Sequence, residues 1–150
     1  MKLIAGESDT AIMRFIDKGE LLSQCTVVML PRRAANEPLE LNKYKREIAK
    51  MVEKDTEAKL IKSDQIKTKT GMKAMSVVVA GEEEGLPVNW IYYHIEAKDG
   101  RQMTFVFTLA ESVADRVVGA ANQLINEFEF LGAPEKVAKK RSSNTYKAPK

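Results

Sequence analysis

The segment from residue 90 to residue 109 constrains the fold most, because it is typical of a β-hairpin. Asp99 and Gly100 at its middle suit the positive φ angles of a two-residue type I′ turn. Such a turn pairs Lys98 with Arg101 and thereby fixes the register of the two strands. The predicted pairs that then share one face of the sheet are Glu96 with Met103, His94 with Phe105, Tyr92 with Phe107, and Trp90 with Leu109.

The opposite face of this predicted hairpin is also substantially apolar. It carries Ile91, Tyr93, Ile95 and Ala97 together with Thr104, Val106 and Thr108. A sheet that is apolar on both sides needs a covering layer on each side. We therefore predict an α+β fold, a twisted antiparallel sheet flanked by helices as an α/β/α sandwich.

Two segments have the apolar spacing of amphipathic helices that could cover such a sheet. The first stripe is formed by Leu41, Tyr44, Ile48, Met51 and Val52, and the second by Val113, Val117, Ala121, Leu124 and Phe128. The second helix is predicted from about Ser112 to Ile125, with Phe128 to Phe130 as a short terminal strand or a packed extension.

Hydrophobic alternation predicts four further strands, so that the elements follow the order β, α, β, α. These strands are Thr10 to Ile16, Leu21 to Leu30, Ala58 to Thr70, and Met72 to Ala80. Residues 31–38 begin and end with proline and are predicted to be a loop. No strand is predicted before Asp9.

The charge of the chain is concentrated at its end. Residues 134–150 hold six basic residues and one acidic residue, a net +5, so that a total of +3 leaves −2 for the rest of the 150 residues. We predict one folded domain over residues 1–133 and a disordered basic tail over residues 134–150. Because phosphate binding needs a concentrated positive patch, we expect no nucleic-acid site on the domain, whereas the tail could contact polyanions.

No stretch of the chain approaches the roughly 20 apolar residues that a membrane-spanning helix needs. Residues 1–6 are too short, and too soon followed by acidic residues, to be a signal peptide. We therefore predict no transmembrane segment. The sequence assigns no compartment, and export of a longer precursor stays open.

The chain lacks the short motifs that carry phosphate binding, nucleophilic catalysis or metal binding. His94 is the only histidine, and the predicted register surrounds it with aromatic residues, which favours a packed core or core-edge position. Cys25 is the only cysteine and has no neighbouring base in sequence to form a thiolate, which favours a buried apolar position. We predict no catalytic residue, no cofactor and no metal.

Trp90, Tyr92 and His94 are the candidate binding residues of the chain. Aromatic side chains with polar tips favour interfaces, so these three residues could form a binding platform. At alternating positions of a strand, large aromatic residues more often belong to the core. Both interpretations stay open at this point.

The stretch from Asp9 to Phe130 resembles the PsbP-like fold family. The resemblance is carried by Ala11 to Phe15 leading into a strand that ends at Leu30-Pro31, by a helix introduced by Leu39 and Leu41, by the hairpin around Asp99-Gly100, and by a last helix that closes on Glu127-Phe128. Members of this family typically begin with a further hairpin, for which this chain shows no counterpart before Asp9. The resemblance implies an antiparallel sheet with helices and a non-enzymatic role in binding protein partners or assisting assembly.

Three functions follow as hypotheses. The first is a non-catalytic protein-binding or assembly module of the PsbP-like class. The alternative is a small-molecule-binding or hydrolytic domain of NTF2-like type, with a pocket between a curved sheet and a helix. The third is tethering of the domain to an anionic membrane or to nucleic acid through the basic tail, which would weaken steeply with added salt.

Overall fold

A computed structural model describes residues 2–5, 10–33, 39–52 and 58–131 of the chain. Its strands are β1 (Lys2–Ala5), β2 (Thr10–Asp17), β3 (Glu20–Leu30), β4 (Lys59–Lys67), β5 (Lys73–Glu83), β6 (Leu86–Glu96) and β7 (Gln102–Ala110). Its α-helices are α1 (Leu41–Val52) and α2 (Ala114–Glu127), and a 3₁₀ turn, Glu111–Val113, leads into α2.

The strands form one antiparallel sheet of seven strands in the order β1-β2-β3-β7-β6-β5-β4. The strands β1 to β3 form one meander and β4 to β7 form another, with neighbours in sequence paired in each. Pairing of β3 with β7 joins the two meanders into a continuous sheet. The chain passes between the meanders through α1.

The predicted strands are confirmed apart from shifts at their ends, and the main differences lie at β1 and at the β5–β6 turn. β1 pairs with β2 although no strand was expected before Asp9. β5 continues to Glu83, and Glu84 and Gly85 alone make the turn, with positive φ angles of 53° and 83°. The predicted strand ended at Ala80, so the observed strand ends three residues later.

The predicted register of the β6–β7 hairpin is wrong by one residue. Ala97 donates a hydrogen bond to Arg101 O (2.8 Å) and Gly100 donates one to Ala97 O (3.0 Å), so the loop holds three residues instead of two. Gly100 takes a φ of +94°, as the last residue of a three-residue hairpin loop does. The observed partners are Glu96 with Gln102, His94 with Thr104, Tyr92 with Val106, and Trp90 with Thr108.

This shift of one residue moves every side chain of β7 to the other face of the sheet. Phe105 and Phe107 therefore lie on the face of Tyr93 and Ile95, where they are buried under α2. Val117 and other side chains of α2 pack on this face. The hydrophobic cluster there includes Met13, Phe15, Cys25, Val27, Ile91, Leu109, Ala121 and Ile125.

A second, smaller hydrophobic cluster lies on the opposite face, under α1. Tyr44 and Ile48 of α1 pack with Met75, Val77 and Val79 of β5. Trp90 and Tyr92 are partly buried at the border of this cluster. α1 thus covers the β4–β6 side of its face.

The prediction of an α+β fold with an α/β/α sandwich is wrong, because the structure is predominantly β. The described residues form seven strands and two α-helices, and a single helix on each face does not make a helical layer. The physical reason is the register of β7. Placing Phe105 and Phe107 under α2 leaves Thr104, Val106 and Thr108 on the other face, and such a face does not require full cover.

Residues 128–131 form a packed extension and not a strand. The ring of Phe128 contacts the rings of Phe105 and Phe130 edge-on, at centroid distances of 5.4 and 5.2 Å. Arg101 lies 4.9 Å from the centre of the Phe130 ring. The predicted basic tail, residues 134–150, lies outside the described residues. Among the described residues, no helix is both long and apolar enough to cross a membrane.

The β6–β7 loop packs closely against the segment after β3 at Gly100, and this close contact can be tested by substitution. A Cβ atom at Gly100 would lie 2.6 Å from Arg33 O and 2.9 Å from Arg32 Cγ, whereas a Cβ atom at Gly85 would meet nothing within 4 Å. Both glycines have positive φ angles, so both substitutions to alanine carry backbone strain of about 1–2 kcal/mol. We expect Gly100→Ala to lower the free energy of unfolding by at least about 1 kcal/mol more than Gly85→Ala, because of this added steric clash. Equal losses in urea unfolding would contradict the close approach.

Candidate functional site

The three residues proposed for binding do lie on one face of β6, but in two different surroundings. Trp90 and Tyr92 are half-buried beside the α1 cluster. The Trp90 ring lies over Gly81, where an added Cβ atom would be 2.8 Å from the ring. Burial raises the pKa of Tyr92. His94 is withdrawn from the surface, with 2% of its area exposed.

His94 is held by a buried side-chain amide. Its Nε2 lies 2.9 Å from Oε1 of Gln102, and Gln102 Nε2 donates to Pro31 O at 2.7 Å. Because the Gln102 oxygen can only accept, His94 Nε2 carries the proton of the neutral ring. The Nδ1 atom is buried and has no hydrogen-bond partner among the described residues.

Charged side chains lie around this histidine, and their hydrogen bonds and ion pairs hold the segment after β3 against the sheet. Arg33 Nη2 donates to Gln102 Oε1 at 3.0 Å, and Arg33 Nε lies 3.3 Å from Oε2 of Glu96. Lys73 Nζ donates to Leu39 O at 2.5 Å and lies 4.0 Å from Oε1 of Glu96. We call His94, Gln102, Arg33, Glu96 and Lys73 the hairpin-end cluster. Its hydrogen bonds to Pro31 and Leu39 fix both ends of the connection that enters α1.

The environment of His94 keeps the ring neutral. The pKa of His94 is lowered to about 4, mainly by burial; the hydrogen bond to Gln102 opposes this shift, and the positive charges of Arg33 and Lys73 contribute to it. The prediction of a packed histidine is confirmed, but its predicted neighbours Phe105 and Phe107 are replaced by polar side chains. In this arrangement the imidazole positions a loop.

Cys25 is fully buried on the α2 face, as predicted. It pairs with Phe107 across the β3–β7 ladder. Burial raises the pKa of the Cys25 thiol to about 12, so the thiol stays protonated at neutral pH. This is the environment of a structural cysteine.

A further surface lies beside Tyr92, on the part of the sheet face that α1 does not reach. Its residues come from β2, β3 and β7 and belong to neither hydrophobic cluster. We call it the open face, and it consists of Thr10, Ile12, Gln24, Thr26, Val28, Thr104, Val106 and Thr108. These side chains are partly or fully exposed.

The strand register arranges the open face in rows. Ile12, Thr26 and Val106 are cross-strand neighbours in one row, which continues to Tyr92. The eight residues carry no formal charge, and Arg14 lies next to them on β2. An uncharged surface of methyl, hydroxyl and carboxamide groups is suited to contact with a protein, and none of its eight side chains is an acid or base that could activate a hydroxyl group.

The open face could not be predicted from the sequence, because which residues of β7 share a face with Tyr92 depends on the register of the β6–β7 hairpin. The alternation of Thr104, Val106 and Thr108 was visible, but these residues were assigned to the face of Tyr93 instead of the face of Tyr92. Within the described ranges, no group of three or more histidine, cysteine, aspartate or glutamate side chains could hold a metal ion.

The neutral, buried state of His94 predicts a specific pH dependence of stability. In the unfolded chain His94 takes up a proton near pH 6.5, whereas in the folded chain it does so only near pH 4. Between these values the unfolded state binds more protons, so stability falls as pH falls from 6.5 to 4 and this contribution is fully present above 6.5. We expect the wild type to lose about 2 kcal/mol more than His94→Gln between pH 7 and pH 4.5. Since the chain has one histidine, parallel pH profiles of the two proteins in urea unfolding would contradict a buried neutral ring.

The burial of Cys25 can be checked with a thiol reagent. We expect 5,5′-dithiobis(2-nitrobenzoate) to react with the folded protein at least about 100-fold more slowly than with the urea-unfolded protein, because access and thiolate formation both require opening of the core. A Cys25→Ala variant gives the background rate. Comparable rates in the folded and unfolded states would place the thiol at the surface.

Comparisons with known proteins identify a fold and no family. No family model matches the chain, and no curated protein matches it. The structure is similar to that of PA94 from Pseudomonas aeruginosa, a protein of unknown function that has been suggested to be a regulator. The two share 14% sequence identity, the match covers 86% of this chain and 88% of that chain, and the TM-score is 0.61. At this identity the likeness shows that the two proteins share a fold, while the PsbP-like resemblance stays a prediction.

Proposed function

We propose that the chain is a non-catalytic protein-binding module of the PsbP-like class and that it binds its partner on the open face. The observation that supports this most is the exposed, uncharged area of the sheet that neither described helix covers. Removal of apolar side chains such as Ile12, Val28 and Val106 from water by a partner lowers the free energy of the complex. Trp90 and Tyr92 border this area and would contact a partner at its edge.

The size of the open face limits what can bind there. Three strands at a spacing of about 4.8 Å, with two residues of this face on β2 and three each on β3 and β7, give an area of at most roughly 14 Å by 20 Å, or about 300 Å². A stable interface between globular surfaces buries about 800 Å² on each partner. The open face is therefore suited to one segment of a partner chain.

The chemistry of the face specifies that segment. Neutral threonine and valine side chains offer no partner for a buried charge, and burying an unpaired charge is costly. We therefore propose an apolar, uncharged protein segment as the occupant. An acidic residue beyond its end could pair with Arg14 at the border of the face.

The hydrolytic NTF2-like alternative has less support. It requires a pocket that reaches His94 or Tyr92. Among pockets formed by described residues, neither residue lines the one at β4–β6, the one between β2 and α2, or the one between β4–β6 and α2. His94 is also bonded to Gln102 through the nitrogen that carries its proton.

Site-directed crosslinking tests the binding proposal. A photoreactive p-benzoylphenylalanine in place of Thr26, at the centre of the open face, should crosslink the partner in cells. The same residue in place of Gln123, which is exposed on α2, is the matched control. We expect a crosslinked protein from position 26 and not from position 123, and the crosslinked peptide should be apolar and uncharged.

A charge substitution provides the second arm of this test. Thr108→Lys places a positive charge at the border of the open face, and Gln123→Lys makes the same change of net charge on α2. Thr108→Lys should reduce crosslinking from position 26 at least about tenfold, because the lysine would have to be desolvated, and Gln123→Lys should leave it unchanged. Equal crosslinking from both positions, insensitivity to Thr108→Lys, or a highly charged crosslinked peptide would each overturn the proposal.

A further inference from the structure

A polar pocket lies on the other side of the sheet from the open face, where β4, β5 and β6 meet the second half of α2. Its volume is about 270 Å³. Its lining is formed by Asp64, Ile66, Ala74, Ser76, Tyr93, Asn122 and Asn126. We call it the α2 pocket.

The polar lining of this pocket comes from one row of the sheet and one stripe of the helix. Asp64 pairs with Ser76, and Ser76 pairs with Tyr93, so the three side chains lie side by side on one face. Asn122 and Asn126 are four residues apart on α2 and therefore share one side of the helix. The fold thus brings a carboxylate, a hydroxyl, a phenol and two carboxamides to one small space.

Hydrogen bonds within the lining orient the two carboxamides. Tyr93 Oη donates to Asn122 Oδ1 at 2.5 Å, and burial raises the pKa of Tyr93 to about 12, so the phenol keeps its proton. Asn126 Nδ2 donates to Asn122 O at 3.2 Å. The Asn126 nitrogen is thus engaged, and its oxygen remains an acceptor. Together with the Asp64 carboxylate and the Ser76 hydroxyl, it makes the pocket rich in hydrogen-bond acceptors.

The electrostatics of the pocket favour a positive ligand. Among the described residues that line the pocket, Asp64 is the charged one and none is basic. Asn126 lies in the last turn of α2, where the unpaired carbonyl groups carry a partial negative charge. A single carboxylate with neutral oxygens suits an ammonium group, whose three N–H bonds match three separate acceptors.

We propose that the α2 pocket binds the ammonium group of a small aliphatic primary amine. Asp64, Ser76 and Asn126 accept its three hydrogen bonds, and Ile66 and Ala74 contact its alkyl chain. At about 30 Å³ for a water-sized group, the pocket holds roughly nine such groups, which limits the ligand to a short amine. This pocket and the open face lie on different strands and on opposite faces of the sheet. The amine-binding proposal can therefore be tested independently of the proposed protein binding.

An NMR titration of the full chain with n-butylamine at pH 7 tests this site. The butylammonium ion should shift amide signals of Asp64, Ser76, Asn122 and Asn126, whereas n-butanol, which has the same alkyl chain and no charge, should leave them in place. Equal shifts with both compounds, or shifts spread over acidic residues throughout the chain, would overturn the proposal.

Two pocket variants and one control variant test whether butylammonium binds in the α2 pocket itself. Asp64→Asn removes the charge from an exposed position of an edge strand and should weaken butylammonium binding at least about tenfold. Glu83→Gln removes an exposed carboxylate from the same sheet outside the pocket and should change nothing. Asn122→Asp adds a carboxylate that can still accept the Tyr93 bond, and it should strengthen binding several-fold. Unchanged affinity in both pocket variants would show that the ammonium group does not bind there.

Discussion

The pairing of β3 with β7 is the interaction on which the rest of the structure depends. Every other described strand pair joins neighbours in sequence, so it can form locally, whereas this pair brings together residues about 80 positions apart. It places Cys25 beside Phe107 and Val27 beside Phe105, at the centre of the cluster under α2. Without it, two separate meanders would each expose an apolar face.

The length of the β6–β7 loop determines the chemical character of both faces. With three loop residues, the phenylalanines of β7 meet α2 and its threonines meet Tyr92. One face then carries the main core, and the other divides between the α1 cluster and the open face. The loop is also fixed from outside, because Arg33 N donates to Gly100 O at 2.8 Å. The three-residue loop and the hydrogen bond from Arg33 N thus both favour the same register of β6 and β7.

Sequence reasoning recovered the elements better than their arrangement. Alternation located β2 to β7, and the apolar stripes located both helices, because these signals arise from burial of each element. The four residues of β1 are too few for a periodic signal. Asp99-Gly100 is compatible with loops of two or three residues, so the register could not be decided locally. The α/β/α prediction failed for that reason. Burial of His94 and Cys25 was foreseen, whereas the open face and the row Asp64-Ser76-Tyr93 require the correct strand order.

The sheet separates the two hydrophobic clusters, and this separation has a consequence for dynamics. The α1 cluster is the smaller of the two. The connection between β3 and α1 is held on the sheet by hydrogen bonds from Gln102 to Pro31 O and from Lys73 to Leu39 O. Opening of α1 therefore requires loss of the polar ties at Pro31 and Leu39, yet it leaves the packing of α2 on the other side intact. Units with so little shared packing can open with different free energies. α1 and β4 therefore form a unit whose opening leaves the core around β3, β7 and α2 intact.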